Sequence, residues 1–70
     1  MMETISLTVN GEARSFDRAI NVAELIESLA LSGRRYAVER NGSVVPRSRF
    51  AEETLAQGDV VEIVVAVGGG

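Results

Sequence analysis

The sequence predicts an α+β fold in which one main helix packs on one face of a mixed five-stranded sheet. Three observations lead to this prediction. Residues 3–9 alternate apolar and polar side chains with the period of a strand. Asn-Gly pairs at 10–11 and 41–42 are strong signals for tight hairpin turns. Between the two hairpins lies one stretch with the apolar spacing of an amphipathic helix.

The first half of the chain predicts a hairpin followed by the helix. Strands at 3–9 and 12–16 flank the first Asn-Gly turn, with Ala13 or Phe16 reaching the core. Asn21 and Glu24 have the spacing of a capping box at the start of a helix. Apolar residues at positions 22, 25, 26 and 29 share one helical face. We expect this helix to run as far as residue 32, with Gly33 as its left-handed C-terminal cap.

The second half of the chain predicts three more strands. Residues 36–40 and 43–45 flank the second Asn-Gly turn, and Pro46 places the second of these strands at an edge because it cannot donate to a central ladder. After an irregular segment at 48–55, residues 60–67 form the most apolar strand, which is typical of a central position. Its inner face should meet the helix. Its outer face carries Val60, Glu62, Val64 and Ala66.

This order of elements, with two hairpins flanking one helix and a central last strand, is that of the β-grasp, or ubiquitin-like, roll. In that architecture the first and last strands are parallel neighbours and join the hairpins into one sheet. With 70 residues the chain is long enough for one domain only. We expect this domain to span residues 1–67. Residues 68–70 should form a flexible tail, because glycine loses more freedom on ordering than any other residue.

The composition argues against a catalytic role. The sequence contains no Cys, His or Lys, so it offers no thiolate nucleophile, no imidazole base and no Cys/His metal site. The adjacent pair Glu52 and Glu53 is expected on the solvated surface, and Asp59 is expected to bond nearby backbone in a turn. We therefore expect a protein that is not an enzyme and holds no metal or cofactor.

Targeting signals are also missing from the sequence. The longest apolar run, residues 63–67, is far shorter than the roughly 20 residues of a membrane-spanning helix. The first residues lack the basic and apolar regions of a secretory signal. We expect a cytoplasmic protein that does not bind membranes.

Charge is distributed unevenly along the chain. Residues 34–49 hold five Arg and one Glu, for a net charge of +4, whereas the whole chain has a net charge of −3. This basic segment either faces an acidic partner or a phosphate, or forms an ordinary solvated hairpin. Nucleic-acid binding is a third reading. It is disfavoured because such proteins usually combine net basic charge with exposed aromatic residues, and this chain is acidic with one Tyr and two Phe.

Three glycines, Gly68, Gly69 and Gly70, directly follow the apolar strand. Residues without side chains can thread a narrow channel, and three extended residues reach about 10 Å. Such a tail can deliver a carboxylate into another protein's active site while the folded body docks outside.

The outer face of the last strand is the candidate docking surface for such a partner. It is unusually apolar for a solvated face, and Val60, Val64 and Ala66 are the residues that we expect to make contact. Arg47 either joins this surface or, together with Phe50, pins its loop under the sheet. For Phe50 we favour the packing role.

The sequence resembles the ThiS family, the sulfur carrier proteins of thiamin thiazole biosynthesis, over nearly its whole length. A C-terminal diglycine is shared with ubiquitin and with the small subunit of molybdopterin synthase. The aromatic Phe50, three residues after Arg47, points instead to the thiazole branch. The resemblance is sharpest in the segments VNGE at 9–12, VAEL at 22–25, VERNG at 38–42, VVPR at 44–47, GDVVEI at 58–63 and AVGGG at 66–70.

The resemblance implies that the chain is a co-substrate. A ThiF-like adenylating enzyme of the ubiquitin-activating type would use ATP to adenylate the Gly70 carboxylate. A sulfur donor protein would then convert it to a thiocarboxylate, and a ThiG-like thiazole synthase would accept the sulfur. Gly68 and Gly69 would give the tail its reach and fit. Two alternatives stay open: a sulfur carrier for molybdopterin or another sulfur-containing product, and a ubiquitin-like modifier conjugated to other proteins.

Overall fold

The computed structural model describes residues 4–66. In chain order these residues form β1 (Ile5–Val9), β2 (Glu12–Phe16), α1 (Val22–Ser28), β3 (Tyr36–Arg40), β4 (Ser43–Val44), a 3-10 helix (Arg47–Arg49) and β5 (Val60–Val65). Residues 1–3 and 67 of the predicted domain, and the predicted tail at 68–70, lie outside the described residues. No helix within residues 4–66 is long and apolar enough to cross a membrane.

The five strands form one mixed sheet in the order β2-β1-β5-β3-β4. β1 and β5 are parallel, and the other neighbouring strands are antiparallel. The predicted β-grasp arrangement is therefore confirmed, with β5 at the centre and β4 at an edge.

The core lies between α1 and one face of this sheet. Val22 and Leu25 of the helix are fully buried, and the inner residues of β1, β3 and β5 complete the same apolar cluster. The loops also contribute, because Phe50 is buried as predicted and Leu55 is buried in the same cluster. Phe16 of β2 packs against the cluster, whereas Ala13 is exposed.

The predicted capping box starts the helix. The side-chain oxygen of Asn21 accepts a hydrogen bond from the backbone N–H of Glu24 (2.8 Å), and a carboxylate oxygen of Glu24 accepts one from the N–H of Asn21 (3.0 Å). The bond from the Asn21 N–H, followed by the bond from the Arg18 guanidinium, lowers the pKa of Glu24 below its ordinary value. Two orphan donors of the first turn are thus satisfied.

The helix ends at Ser28, so the predicted end at residue 32 is wrong. Ala30 adopts the left-handed conformation (φ +58°), and its N–H donates to the carbonyl of Glu27 while the N–H of Leu31 donates to that of Ile26. These two bonds make a Schellman cap with alanine in the position that usually holds glycine. The left-handed conformation costs a residue other than glycine about 1–2 kcal/mol. The reversal turns Leu31 back onto the core, which offsets part of that cost.

The parallel contact between β1 and β5 is short and is extended by one side chain. The two strands share two ladder positions, Thr8 with Val60 and Val9 with Val61. Beyond them, Asn10 donates its backbone N–H to the carbonyl of Val61 (2.9 Å). Its side-chain Oδ1 accepts from the N–H of Ile63 (2.7 Å) and its Nδ2 donates to the carbonyl of Ile63 (3.1 Å). The Asn10 amide therefore takes the place of a further strand residue.

The second hairpin turn binds β5 in a related way. The N–H of Asn41 donates to the carbonyl of Val60 (2.7 Å), and the Asn41 Oδ1 accepts from the N–H of Val60 (2.9 Å). Since β1 and β3 lie on opposite sides of β5, the two turn asparagines hold the central strand from both sides.

A buried carboxylate anchors the start of β5. One oxygen of Asp59 accepts from Arg40 Nε (2.8 Å) and from the Ala56 N–H (2.8 Å), and the other accepts from Asn41 Nδ2 (3.0 Å). Burial alone would raise the pKa of Asp59, but the bonds from Asn41 and Ala56 and the Arg40 guanidinium outweigh it and hold that pKa below its ordinary value. The predicted turn role of Asp59 is confirmed by the Ala56 bond.

Arg40 also pairs with Glu53 (2.9 Å), whose side chain is only 24% exposed. The expectation that the whole Glu52–Glu53 pair is solvated is therefore wrong for Glu53. The segment after β4 is held against the start of α1, where the N–H of Val22 donates to the carbonyl of Glu53 (3.0 Å). This long-range contact brings the carboxylate to Arg40, which the local sequence does not reveal.

Replacing Asn10 with glycine should weaken the join between the two hairpins. Glycine tolerates the φ of +50° at this position, so the change removes the side-chain bonds without adding backbone strain. Losing two hydrogen bonds should lower the free energy of unfolding by about 1–3 kcal/mol. Urea unfolding measures that loss, and amide exchange should show faster opening at Ile63. Unchanged exchange at Ile63 in a destabilised Asn10→Gly variant would contradict the role assigned to this side chain.

Replacing Asp59 with Asn should destabilise the chain at neutral pH and much less in acid. The folded-state pKa of Asp59 lies below its unfolded value of about 3.9. The contribution of Asp59 to the free energy of unfolding is therefore fully present above the unfolded-state pKa and is lost as the pH falls through the folded-state pKa. We expect Asp59→Asn to cost about 1.5–3 kcal/mol at pH 7, the range for hydrogen bonds to charged groups. Urea unfolding across the acid range measures the difference in free energy of unfolding between wild type and Asp59→Asn, which should shrink as the pH falls. The exposed-site variant Asp17→Asn serves as control. If this difference in free energy stays constant with pH, the stabilisation does not come from the ionised Asp59 carboxylate.

Candidate functional site

The sheet face opposite α1 is open, and β5 presents every second residue to it. Val60 is 44% exposed and Val64 is 64% exposed, while Val61 and Ile63 between them are buried. Ala66, just after the strand, is also exposed. The predicted orientation of this strand is therefore confirmed, and three of the four predicted docking residues, Val60, Val64 and Ala66, lie on one face.

Val44 belongs to the same face and is not among the predicted docking residues. In the ladder between β3 and β4, Val44 pairs with Glu39, and in the ladder between β3 and β5, Glu39 pairs with Glu62. The row Val44, Glu39, Glu62 thus crosses three strands on the open side. Val44 is 68% exposed and, with Val60 and Val64, completes the set of large exposed hydrophobic residues in the described part of the chain. We call this surface, with Glu39 and Glu62, the open face.

The register of the second hairpin is the sequence signal that could have predicted the place of Val44 on the open face. A two-residue Asn-Gly turn pairs Arg40 with Ser43, and hence Glu39 with Val44. Cross-strand partners share one side of a sheet. Since Val38 is a core residue, its neighbour Glu39 points away from the helix. Val44, the cross-strand partner of Glu39, therefore also lies on that side of the sheet.

Arg47, the fourth predicted docking residue, lies apart from this surface. Its guanidinium carbon is 4.8 Å from the centroid of the Tyr36 ring and 6.0 Å from that of Phe50. The two rings stack with centroids 6.0 Å apart and an interplanar angle of 13°. Phe50 is a core residue and Tyr36 packs against the core, so this stack is on the helix side of the sheet. The contact is a cation–π interaction in which the guanidinium lies over the Tyr36 ring.

The chain leaves the sheet beside the beginning of β3. Val65 pairs with Tyr36, and the N–H of Ala66 donates to the carbonyl of Arg35 (2.9 Å). The predicted sulfur-carrying Gly70 and the predicted threading residues Gly68 and Gly69 follow, and they lie outside the described residues. The structure thus defines the point from which the tail departs.

Within residues 4–66, no group of three or more His, Cys, Asp or Glu side chains is placed to hold a metal ion. The most buried carboxylate, Asp59, has its oxygens engaged by Arg40, Asn41 and Ala56. What the arrangement can provide is a surface for contact and a strand that leads from that surface into the tail.

Comparison with known proteins identifies similar chains. The model of the ThiS family matches residues 7–70. The crystal structure of the thiamine biosynthesis protein ThiS from Geobacter metallireducens superimposes with a TM-score of 0.79 at 38% identity, and the match covers 94% of this chain and 100% of that one. The sulfur carrier protein ThiS of Bacillus subtilis is 39% identical over 49 residues, which are 70% of this chain and 74% of that protein.

A thiazole synthase from Paramagnetospirillum magneticum is 41% identical over 66 residues. The match covers 94% of this chain, and the chain spans only 20% of the length of that relative. The family model covers most of the chain, and the Geobacter protein shares the fold over 94% of it. From these matches we conclude that the chain belongs to the ThiS family.

Proposed function

We propose that this protein is a sulfur carrier of thiamin biosynthesis and is itself not an enzyme. Its Gly70 carboxylate is adenylated by an enzyme of the ubiquitin-activating type and becomes a thiocarboxylate, which donates sulfur to a thiazole synthase. The observation that carries this proposal is the ThiS family match over residues 7–70, which includes the glycines that follow β5.

In this chemistry the carrier supplies only its terminal carboxylate. A carboxylate is a poor electrophile, so an oxygen of Gly70 first attacks the α-phosphate of ATP and releases pyrophosphate. Hydrogen sulfide ion supplied by the sulfur donor then attacks the acyl carbon, AMP leaves with the C–O bond electrons, and loss of the S–H proton leaves the thiocarboxylate. Each activating group belongs to the partner, which is consistent with a carrier that has no Cys, His or Lys. No cofactor is held by the carrier, and ATP is used by the partner.

The partners are the adenylating enzyme, a sulfur donor protein and the thiazole synthase. For the synthase, support comes from two proteins named thiazole synthase, from Paramagnetospirillum magneticum and Magnetococcus marinus, each of which contains a stretch similar to this chain. A carrier-like segment and a synthase within one polypeptide favour direct transfer between them. We place these reactions in the cytoplasm.

Docking of the adenylating enzyme is assigned to the open face. Val60, Val64 and Ala66 point outward along β5, and Val44 extends the apolar surface across the sheet. Because the same strand continues into the glycines, a partner seated here is in position to receive the tail. Arg47 is assigned a packing role, since its guanidinium is against Tyr36 and Phe50 on the helix side.

Intact mass spectrometry tests the proposed function directly. After incubation with the adenylating enzyme, ATP and a sulfur source, the chain should gain the mass of one oxygen replaced by sulfur, localised to Gly70. The shift should be absent without ATP. No shift, with an enzyme shown to act on another carrier, would contradict the proposal, and a covalent ladder on a denaturing gel would indicate a protein modifier instead.

Widening the tail should block activation without affecting the fold. Gly69→Phe places a large ring where the tail has to enter a narrow channel, whereas Gly69→Ala adds one methyl group. We expect Gly69→Phe to slow thiocarboxylate formation at least about 100-fold, as misplaced reacting groups do, and Gly69→Ala to slow it less. Circular dichroism and urea unfolding should be unchanged in both variants. Normal activation of Gly69→Phe would rule out threading.

A further inference from the structure

The centre of the open face carries two carboxylates that face each other across neighbouring strands. Glu39 of β3 pairs directly with Glu62 of β5. Apolar side chains surround them: Val60 and Val64 are two residues away from Glu62 on either side along β5, and Val44 pairs with Glu39. The open face is therefore an apolar surface with a concentrated negative charge inside it.

This pair is unfavourable for the isolated chain. Like charges directly opposite each other on adjacent strands are destabilising. The other acids of the described range include several in ion pairs, such as Glu53 and Asp59 with Arg40, but neither Glu39 nor Glu62 has an Arg within ion-pairing distance among residues 4–66. The cost is therefore not offset within the described structure, and a cation from outside would remove it.

We infer that Glu39 and Glu62 together accept a cationic side chain, arginine or lysine, that the adenylating enzyme projects onto the open face between Val44, Val60 and Val64. This inference rests on the proposed function. An arginine suits the site well, because its planar guanidinium presents five donors and can bond two carboxylates at once. The valines around the pair exclude water when the partner is seated, which strengthens the charge interaction.

A second copy of this chain does not fit the same surface. A symmetric dimer places identical patches against each other. Two open faces in contact would bring four carboxylates together in a water-poor interface, and like charges in such a position strongly disfavour association. The charge of the open face thus selects a partner that carries the opposite charge.

The double variant Glu39→Gln/Glu62→Gln separates recognition from folding. It keeps the size of both side chains and removes both charges. The midpoint of thermal unfolding should rise, because the cross-strand repulsion is gone. Affinity for the adenylating enzyme, measured by isothermal titration calorimetry, should fall about 10- to 100-fold, the loss expected when a charge partner is removed from an interface. The salt dependence of binding should become weaker.

The matched control is Glu27→Gln/Glu52→Gln, which makes the same charge change at exposed positions outside the open face. It should leave affinity within about twofold, as expected for long-range effects that salt screens. If both double variants bind like the wild type, or if both lose affinity equally, the inference is overturned.

Thiocarboxylate formation distinguishes this inference from the proposed function. At saturating enzyme, wild type and Glu39→Gln/Glu62→Gln should both form the product, whereas at limiting enzyme the variant should lag. If wild type reacts and the variant reacts equally well at limiting enzyme, the charge-recognition role fails alone. If wild type forms no thiocarboxylate with an active enzyme, the proposed function and this inference fail together.

Discussion

The parallel contact between β1 and β5 is the constraint on which the rest of the structure depends. In the sheet order β2-β1-β5-β3-β4, it is the one boundary that joins the first hairpin to the second. Its ladder is short, with two paired positions, and the side chain of Asn10 lengthens it by bonding both polar groups of the Ile63 backbone. Without this join, α1 would have no continuous surface to cover.

The same contact sets the geometry of function. β5 is held from one side by Asn10 and from the other by Asn41, and its first residue follows the buried Asp59. A strand fixed in this way has one face committed to the core and the other to solvent. It therefore presents its outward residues as a stable surface and releases the following residues at a defined point beside Arg35.

Features encoded in local sequence were the ones that could be predicted. The two Asn-Gly turns, the capping box of Asn21 and Glu24, and the alternation of β5 depend on neighbours a few residues apart. Together they define the sheet order, because two hairpins and a central apolar strand leave few arrangements. The open face followed from the same alternation, which is why Val60, Val64 and Ala66 were identified correctly as outward residues.

Features that depend on distant contacts could not be predicted from the sequence. The helix ends at Ser28 as Leu31 packs back on the core, and this contact offsets part of the cost of the left-handed conformation at Ala30. The sequence left two roles open for Arg47, in the docking surface or in packing of its loop, and only the distant contact with the ring of Tyr36 places it on the helix side.

The fold also affects how readily the turn asparagines, Asn10 and Asn41, undergo deamidation. Asparagine is among the heat-labile residues, and glycine directly after it leaves the side-chain amide open to attack by the next backbone nitrogen. Deamidation at Asn10 would replace the Nδ2 donor by an oxygen facing the carbonyl of Ile63, turning an attractive contact into a repulsive one. In the folded chain both polar atoms of that amide are engaged by β5, which restrains the approach needed for the reaction. The hydrogen bonds that join the two hairpins therefore also protect the Asn10 amide from deamidation. This reaction should be fastest when the chain is unfolded.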